Sequence, residues 1–297
     1  MPGGEKMICI YHRNNDGRCA AAIVNKRFGR LTDIDFIGMQ YGEDLPWETF
    51  SEHEHVVIVD FSLKKHQWDH LFEVTQNVTW IDHHISAIED EDNPHHLPGV
   101  RENGVAGAML TWDYFYSGIT PPLAVKFISD YDIWAFRYGD TTKEFSQGLW
   151  FYDTHPQSNI WETLLCSHKH ETTHLIGRIL KDGRTIIKHN KKTWASIVKR
   201  QSISSHWEGY RIQVVNLRGP SLVFESLELD TCDLLVLWSY TGKYYQVNVF
   251  TQDNSDVDVS KICKKYGGGG HRGAGGFEIK KLPHGFFEDL TKRRFEI

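Results

Sequence analysis

With 297 residues, 40% of them hydrophobic and 24% charged, the chain is long enough for one large domain or two ordinary ones and has the composition of a globular protein. No apolar run reaches the length of a membrane span, and a formal net charge of −6 argues against a protein that coats DNA in bulk. The opening residues, MPGGEKMICIYH, lack the apolar core of a signal peptide. Cys9, Cys19, Cys166, Cys232 and Cys263 are scattered, with no C-x-x-C, so neither a disulfide framework nor a zinc knot is expected, and a reducing cytoplasm is the expected compartment. The charge is uneven: residues 160–200 hold nine Lys/Arg against three Asp/Glu, so a local patch could still hold an anion.

Taken in chain order, Met7 to Tyr11 reads as a buried strand ending at His12, followed by a Gly-containing turn and an alanine-rich helix from Arg18 to Phe28. Ile34 to Gln40 suggests a second strand, and Val56 to Val59 a third that ends at Asp60. A helix from about Lys64 to Val74 leads to a fourth strand, Val78 to Ile81, which runs into Asp82-His83-His84. Strands alternating with helices imply a parallel sheet, and such sheets bind ligands beyond the carboxyl ends of their strands. His12, Asp60 and the Asp82-His83-His84 triplet all fall at those ends.

Residues 104–134 look helical, and the small residues Gly104 to Ala108 would let a helix N-terminus approach an anion closely. Thr172 to Arg200 reads as a long helix, interrupted or kinked near Gly183. One face carries Ile176, Leu180, Ile187, Trp194 and Ile197; the other carries Arg178, Lys181, Lys188 and Lys192, which reads as a solvated face. The pattern then resets to strands near Arg211–Leu217, Leu234–Tyr240 and Tyr244–Phe250, a helix near Val259–Tyr266, and a run of glycines. The expected division is 1–160 for a parallel-sheet catalytic domain, 161–201 for a helical linker, and 202–297 for a smaller α/β domain, with the active site in the cleft between the domains.

The acids and imidazoles at the strand ends carry the chemistry. "YHRNNDGRCAA" supplies His12, Asn14 and Asp16, "VVIVDFS" supplies Asp60, "WIDHHIS" supplies Asp82, His83 and His84, and "ISDYDIWAF" supplies Asp130 and Asp132. Mixed carboxylate and imidazole ligands suit Mn²⁺, Zn²⁺ or Fe²⁺. Two such ions held about 3.5–4 Å apart clamp a phosphoester and activate water for attack on phosphorus.

The ordered segments H-x-N-x-D-G, V-D-F, D-H-H and D-I-W resemble the motifs of the DHH phosphoesterases. "GGGGHRGAGGF", residues 267–277, is similar to the G-G-G-H-x-x-A-A-G-F signature of the DHH-associated C-terminal domain. Together they span residues 12–277. The resemblance implies an α/β fold and a metal set of His12, Asp16, Asp60, His83 and Asp132, with Asp60 bridging and Mn²⁺ the favoured ion, one or two in number. Asp130 competes with Asp132 for the fourth motif, and the Asp-Ile-Trp context favours Asp132. His84 would face the phosphate, and Asp82 would orient the site. Gly268, Gly269 and Gly270 would bring backbone N–H groups to phosphate or base, His271 and Arg272 would meet a phosphate oxygen, and Arg18 would contact substrate. The chain departs from the family pattern in Asn14 and Arg18, which flank Asp16 where relatives carry an extra Asp. It lacks an arginine in Val247–Phe250, and it has Gly275 in place of the signature's second alanine.

The function expected from these residues is hydrolysis of short oligonucleotides to mononucleotides, with an oligonucleotide or nucleotide as partner, no membrane, and a homodimer allowed. Aromatics such as Trp134 or Phe277 are open to base stacking or to a place in the core. The same motifs serve hydrolases of 3′-phosphoadenosine 5′-phosphate, linear or cyclic dinucleotides and polyphosphate. A non-catalytic nucleotide sensor is the contrasting class.

Overall fold

The computed structural model describes residues 6–50, 55–166, 170–226, 232–252, 255–283 and 286. Contacts divide the chain into two units, Met1–Ile187 and Lys188–Ile297. The first contains β1 (Met7–His12), α1 (Asn15–Phe28), β2 (Ile34–Met39), β3 (His55–Val59), α2 (Lys65–Val74), β4 (Val78–Ile81), α3 (Ile85–Ile88), α4 (Gly107–Phe115), α5 (Leu123–Asp132), α6 (Asp140–Leu149) and α7 (Ile160–Leu164). The boundary then falls inside α8 (His170–Gln201).

The strands of the first unit form one parallel sheet in the order β2-β1-β3-β4. Alternate side chains leave opposite faces of a strand, and here both faces are buried. Met7, Cys9, Tyr11, Val57, Val59 and Ile81 pack with α1 and the later helices, while Ile8, Ile10, Val56, Ile58, Val78 and Trp80 pack with Trp68 and Leu71 of α2. This explains why these strands read as continuous apolar runs. Their register positions the chemistry: Tyr11 pairs with Val59, and Val59 with Ile81. The next residue along each strand, His12, Asp60 and Asp82, therefore lies beside its neighbours at the carboxyl edge.

The region 104–134 forms two helices rather than one, because Gly118, at φ +76°, and the Pro121-Pro122 pair interrupt it. Helix α8 is continuous through Gly183. The glycine serves an approach of backbones: a Cβ on Gly183 would sit 1.7 Å from the Glu144 carbonyl oxygen, and one on Gly148 1.9 Å from that of Ile179. The basic residues Arg178, Lys181, Lys188 and Lys192 are exposed, as a solvated face requires.

The second unit carries β5 (Ile203–Trp207), β6 (Tyr210–Asn216), β7 (Leu234–Tyr240), β8 (Tyr245–Thr251), α9 (Val259–Lys265), β9 (Gly269–Gly270) and β10 (Ala274–Ile279). They form a mixed sheet in the order β5-β6-β7-β8-β10-β9, parallel only between β6 and β7. Phe277 lies in its core at 4% exposure, which rules out the stacking role considered for it. The glycine run is a hairpin arm. Gly269 and Gly270 pair with Gly276 and Gly275, and the His271 N–H donates to the Ala274 carbonyl at 2.7 Å. Gly270 has φ +140°, and a Cβ on Gly268 would meet the Gly276 carbonyl at 2.0 Å. Gly275 has no room for the alanine of the family signature, since a Cβ there would lie 2.8 Å from the Gly269 carbonyl oxygen and 2.9 Å from Cys263 Sγ.

Two alanine substitutions on α8 separate helix propensity from packing. Gly177 faces open space, so Gly177→Ala should stabilise by up to ~1 kcal/mol. Gly183→Ala should destabilise by about 2 kcal/mol or more, because the backbones must part. Chemical denaturation of both variants checks the opposite signs.

Candidate functional site

The site forms around Asp60, fully buried at the end of β3. Its backbone is left-handed, φ +53°, a region that Asp enters more readily than most residues. His83 Nε2 lies 3.0 Å from Asp60 Oδ1, 3.3 Å from Asp132 Oδ2 and 3.9 Å from Asp16 Oδ2. On the other side, His12 Nδ1 is 3.7 Å from Asp60 Oδ2, and His84 Nδ1 is 3.9 Å from Asp60 Oδ1. Asp60 thus belongs to two overlapping clusters, one with His12 and His84 and one with Asp16 and His83.

Each ligand-type side chain is held by a different neighbour. The Asp16 carboxylate accepts N–H bonds from Gly107 (2.7 Å) and Ala108 (3.0 Å) at the start of α4. The anion at that helix N-terminus is therefore a side chain of the protein, placed where N–H groups favour negative charge. A Cβ on Gly107 would meet Asp60 Cβ at 2.7 Å, so only glycine lets α4 approach. Asn14, which stands where the family pattern has an extra Asp, caps α1, its Oδ1 accepting from the Gly17 N–H at 2.7 Å. Asp82 Oδ1 accepts from the His83 N–H and lies 2.7 Å from His84 Nδ1. A proton on Nδ1 donated to Asp82 orients the His84 ring, and the same carboxylate raises the proton affinity of the imidazole against the effect of burial.

Asp130 and Asp132 take different roles. Asp130 is buried and accepts from the Arg137 N–H (2.9 Å), the Tyr138 N–H (3.3 Å) and the Thr142 hydroxyl, so it ties down the turn after α5. Asp132 is the acid that reaches His83. Arg18 donates to Thr154 Oγ1 at 2.8 Å and lies over the Trp150 ring. In the second unit, His271 is half-buried, and the exposed Arg272 has Nη2 3.7 Å from Asp256 Oδ1.

Sequence reasoning missed Gln40 and Tyr41. Gln40 Oε1 lies 3.1 Å from His12 Nε2, which turns Nδ1 toward Asp60 when Nε2 carries the proton. The Gln40 N–H is in turn bound by Glu43, which pairs with Arg13. Polar residues after a strand carry no pattern that marks them. A strand-end position beside His12 in the parallel register was the available signal, since Met39 pairs with His12.

Electrostatics show the cost of this assembly. Burial pushes the Asp16 carboxyl well above the ordinary range, and Asp132 and Asp60 push it further. Burial likewise raises Asp132. Burial opposes ionisation of Asp60, but the imidazoles of His12, His83 and His84 outweigh it and hold that carboxyl below the ordinary range. Burial lowers His83, yet Asp60, Asp132 and Asp16 carry it up to about 10. Both Asp60 oxygens, Asp132 Oδ2 and His12 Nδ1 are buried without a hydrogen-bond partner. Buried carboxylate oxygens without donors are costly, and imidazole nitrogen beside carboxylate oxygen is a donor set for a divalent transition cation. The residues present therefore fit a metal ion, with Asp60 able to serve both clusters.

No family model matches the chain. An uncharacterized protein of Acanthamoeba polyphaga mimivirus is 27% identical over 303 residues, covering 93% of this chain and 68% of that protein. Among solved structures, the DHH domain of a member of the s1p family of ribosomal proteins matches with a TM-score of 0.63 at 16% identity, over 99% of this chain and 87% of that one. The chain has the DHH fold. RecJ of Thermus thermophilus in complex with Mn²⁺ aligns with a TM-score of 0.52 at 13% identity, over 98% of this chain and 51% of that one. An exopolyphosphatase-related protein of Bacteroides fragilis aligns at 0.50 and 10%, over 98% and 90%. The DHH fold accounts for the parallel sheet of the first unit and the mixed sheet of the second. Among the described residues, no helix is long and apolar enough to cross a membrane.

The two acids of α5 give a direct test of this geometry. Asp130→Ala, which frees buried donors, should destabilise the metal-free protein by about 2 kcal/mol. Asp132→Asn, which relieves repulsion at the site, should leave stability unchanged or raise it by about 1 kcal/mol. Urea titration in the presence of chelator reads both.

Proposed function

We propose that the chain is a metal-dependent phosphoric ester hydrolase that cleaves short oligonucleotides to mononucleotides. The observation that carries this reading is the convergence of Asp16, Asp132, His12, His83 and His84 around the fully buried Asp60 carboxylate, whose oxygens face imidazole nitrogens at 3.0–3.9 Å. His12, Asp16, Asp60, His83 and Asp132 would hold the cation, and Asp60 is the ligand common to both clusters. When bound, the metal supplies Lewis acidity toward phosphoryl oxygens and raises the acidity of water. The manganese in the RecJ relative supports Mn²⁺ as the ion for this site.

The protein's own groups do the rest. His84, oriented by Asp82, whose carboxylate raises the proton affinity of the imidazole against the effect of burial, presents its Nε2–H to a non-bridging phosphoryl oxygen when the ring is protonated at both nitrogens, and that donated hydrogen bond strengthens as charge develops. Gln40 holds His12 in the tautomer that turns Nδ1 inward. The α4 N–H groups keep Asp16 fixed without taking up the charge of a lysine or arginine. Of the second unit, Gly268, Gly269, Gly270, His271 and Arg272 are proposed to contact substrate, with Arg272 offering paired N–H donors to a phosphate. Arg18 is proposed as a further contact.

Incubation of the Mn²⁺-loaded protein with a labelled dinucleotide, a longer RNA and inorganic polyphosphate tests the reading. Mononucleotide should appear fastest from the dinucleotide, and Asp60→Ala should lower turnover by at least ~100-fold. A wild-type protein that releases no mononucleotide, and that binds Mn²⁺ no better than Asp60→Ala, would end the proposal. Phosphate release from polyphosphate alone would redirect it to the chemistry in the name of the Bacteroides relative.

The protonation of His83 gives a pH dependence. Its imidazole holds a proton up to about 10 in the metal-free protein, and a cation must displace that proton. Mn²⁺ affinity should therefore fall as pH falls, and binding near neutrality should release protons to the buffer. Calorimetry in buffers of different ionisation enthalpy measures the release; His83→Gln should abolish most of it.

A further inference from the structure

Tyr41 is an aromatic side chain at the edge of the imidazole and carboxylate cluster. It follows β2 directly and is 51% exposed, yet its ring meets both imidazoles of one metal-type cluster. Its centroid lies 5.4 Å from that of His12 and 5.7 Å from that of His84, edge-on in each case. The ring stacks on Phe61 at 4.8 Å and 28°, and Phe61 is buried beside Asp60 in the chain. One face of Tyr41 is therefore backed by a rigid core residue, and its hydroxyl is drawn in toward the Ser62 backbone, Asp82 and Asp60; the half of the residue that stays exposed is the surface against which a ligand can lie. Gln40 and Glu43 pin the segment on either side of it, through His12 and through the Arg13 ion pair.

A phosphate oxygen bound by His84 has its substituents within reach of this ring. An inorganic polyphosphate chain gains nothing from an aromatic face, whereas a nucleobase stacks on one. Taking the proposed hydrolase reading as its basis, we infer that Tyr41 is a specificity-determining residue that stacks on a nucleobase next to the scissile phosphate. The site would then take nucleotidic phosphodiesters in preference to inorganic polyphosphate. Of the other exposed aromatics, Trp150 lies under Arg18 at the end of α6 and Phe151 follows it, Trp134 packs on Tyr131 and Phe136, and Tyr240 packs on Tyr245 in the second unit, whereas Tyr41 meets two cluster imidazoles, so Tyr41 is the ring the geometry selects.

Calorimetric titration of the Mn²⁺-loaded protein with AMP, ribose 5-phosphate and inorganic phosphate tests this without turnover. The wild type should bind AMP about tenfold tighter than ribose 5-phosphate, the contribution expected of one stacked base. Tyr41→Ala should abolish that difference and leave phosphate affinity unchanged; Tyr41→Phe should keep it, and Tyr41→Leu should lose most of it. Equal affinity of the wild type for AMP and ribose 5-phosphate overturns the inference. So does a Tyr41→Ala variant that loses phosphate and AMP alike, since the ring would then only support the imidazoles. A protein that hydrolyses dinucleotides but shows either result sinks this inference alone. A protein that shows the base preference yet hydrolyses no dinucleotide sinks the hydrolase reading and leaves Tyr41 as a nucleotide contact.

Discussion

The buried carboxylate of Asp60 sets the terms for everything around it. It stands at the carboxyl end of β3, flanked by β1 and β4, so the residues beside it are those that follow the neighbouring strands. A charge in that position is tolerable only if imidazoles or cations surround it, and His12, His83 and His84 do so. The left-handed backbone at Asp60 adds local strain, of the kind that survives where the surroundings over-determine it. Here the surroundings are a fully buried parallel sheet and a glycine, Gly107, whose missing side chain lets α4 pack against the Asp60 Cβ. The same helix start that crowds Asp60 neutralises Asp16, so one close approach serves both carboxylates.

Much of this was legible in the primary structure because a parallel sheet converts chain order into spatial order. Four apolar runs, each ending in a polar residue, place those residues side by side once the register is right, and "DHH" is informative for that reason. The two acids of α5 were harder. Residues two apart on a helix point about 200° apart, so Asp130 and Asp132 could not share a site. The chain context favoured the acid that reaches His83, while the other binds the turn that follows. The glycine run shows the opposite difficulty. Read alone, consecutive glycines suggest an open anion-binding loop, yet Gly268, Gly270 and Gly275 are there because a neighbouring strand leaves no space for a Cβ. Composition records that a side chain is absent and says nothing of whether backbone or ligand took its place.

Gln40 and Tyr41 were illegible for a related reason. Their importance comes from β2 lying next to β1 in the sheet, although a helix separates them in sequence. A polar residue and an aromatic after a strand are common in any α/β protein, so only the tertiary pairing gives them meaning. Asn14 was misleading in a different way. Its position two residues before Asp16 suits a ligand, but the same position is the start of α1, where an Asn side chain satisfies an N–H that the helix itself cannot.

The way each functional group is held has a consequence for how the site and the fold depend on one another. His12 is fixed by Gln40 after β2, Asp16 by the N-terminus of α4, His84 by Asp82 at the end of β4, and the segment carrying Asp132 by Asp130 through the next turn. No two of these supports come from the same element. A disturbance of one strand end therefore shifts one ligand while the others stay put, and the common oxygen atoms of Asp60 register the mismatch. Precision at Asp60 is thus a property of the sheet register and of two helix starts together, which is why the acids can repel one another and still be kept within bonding reach of a single imidazole.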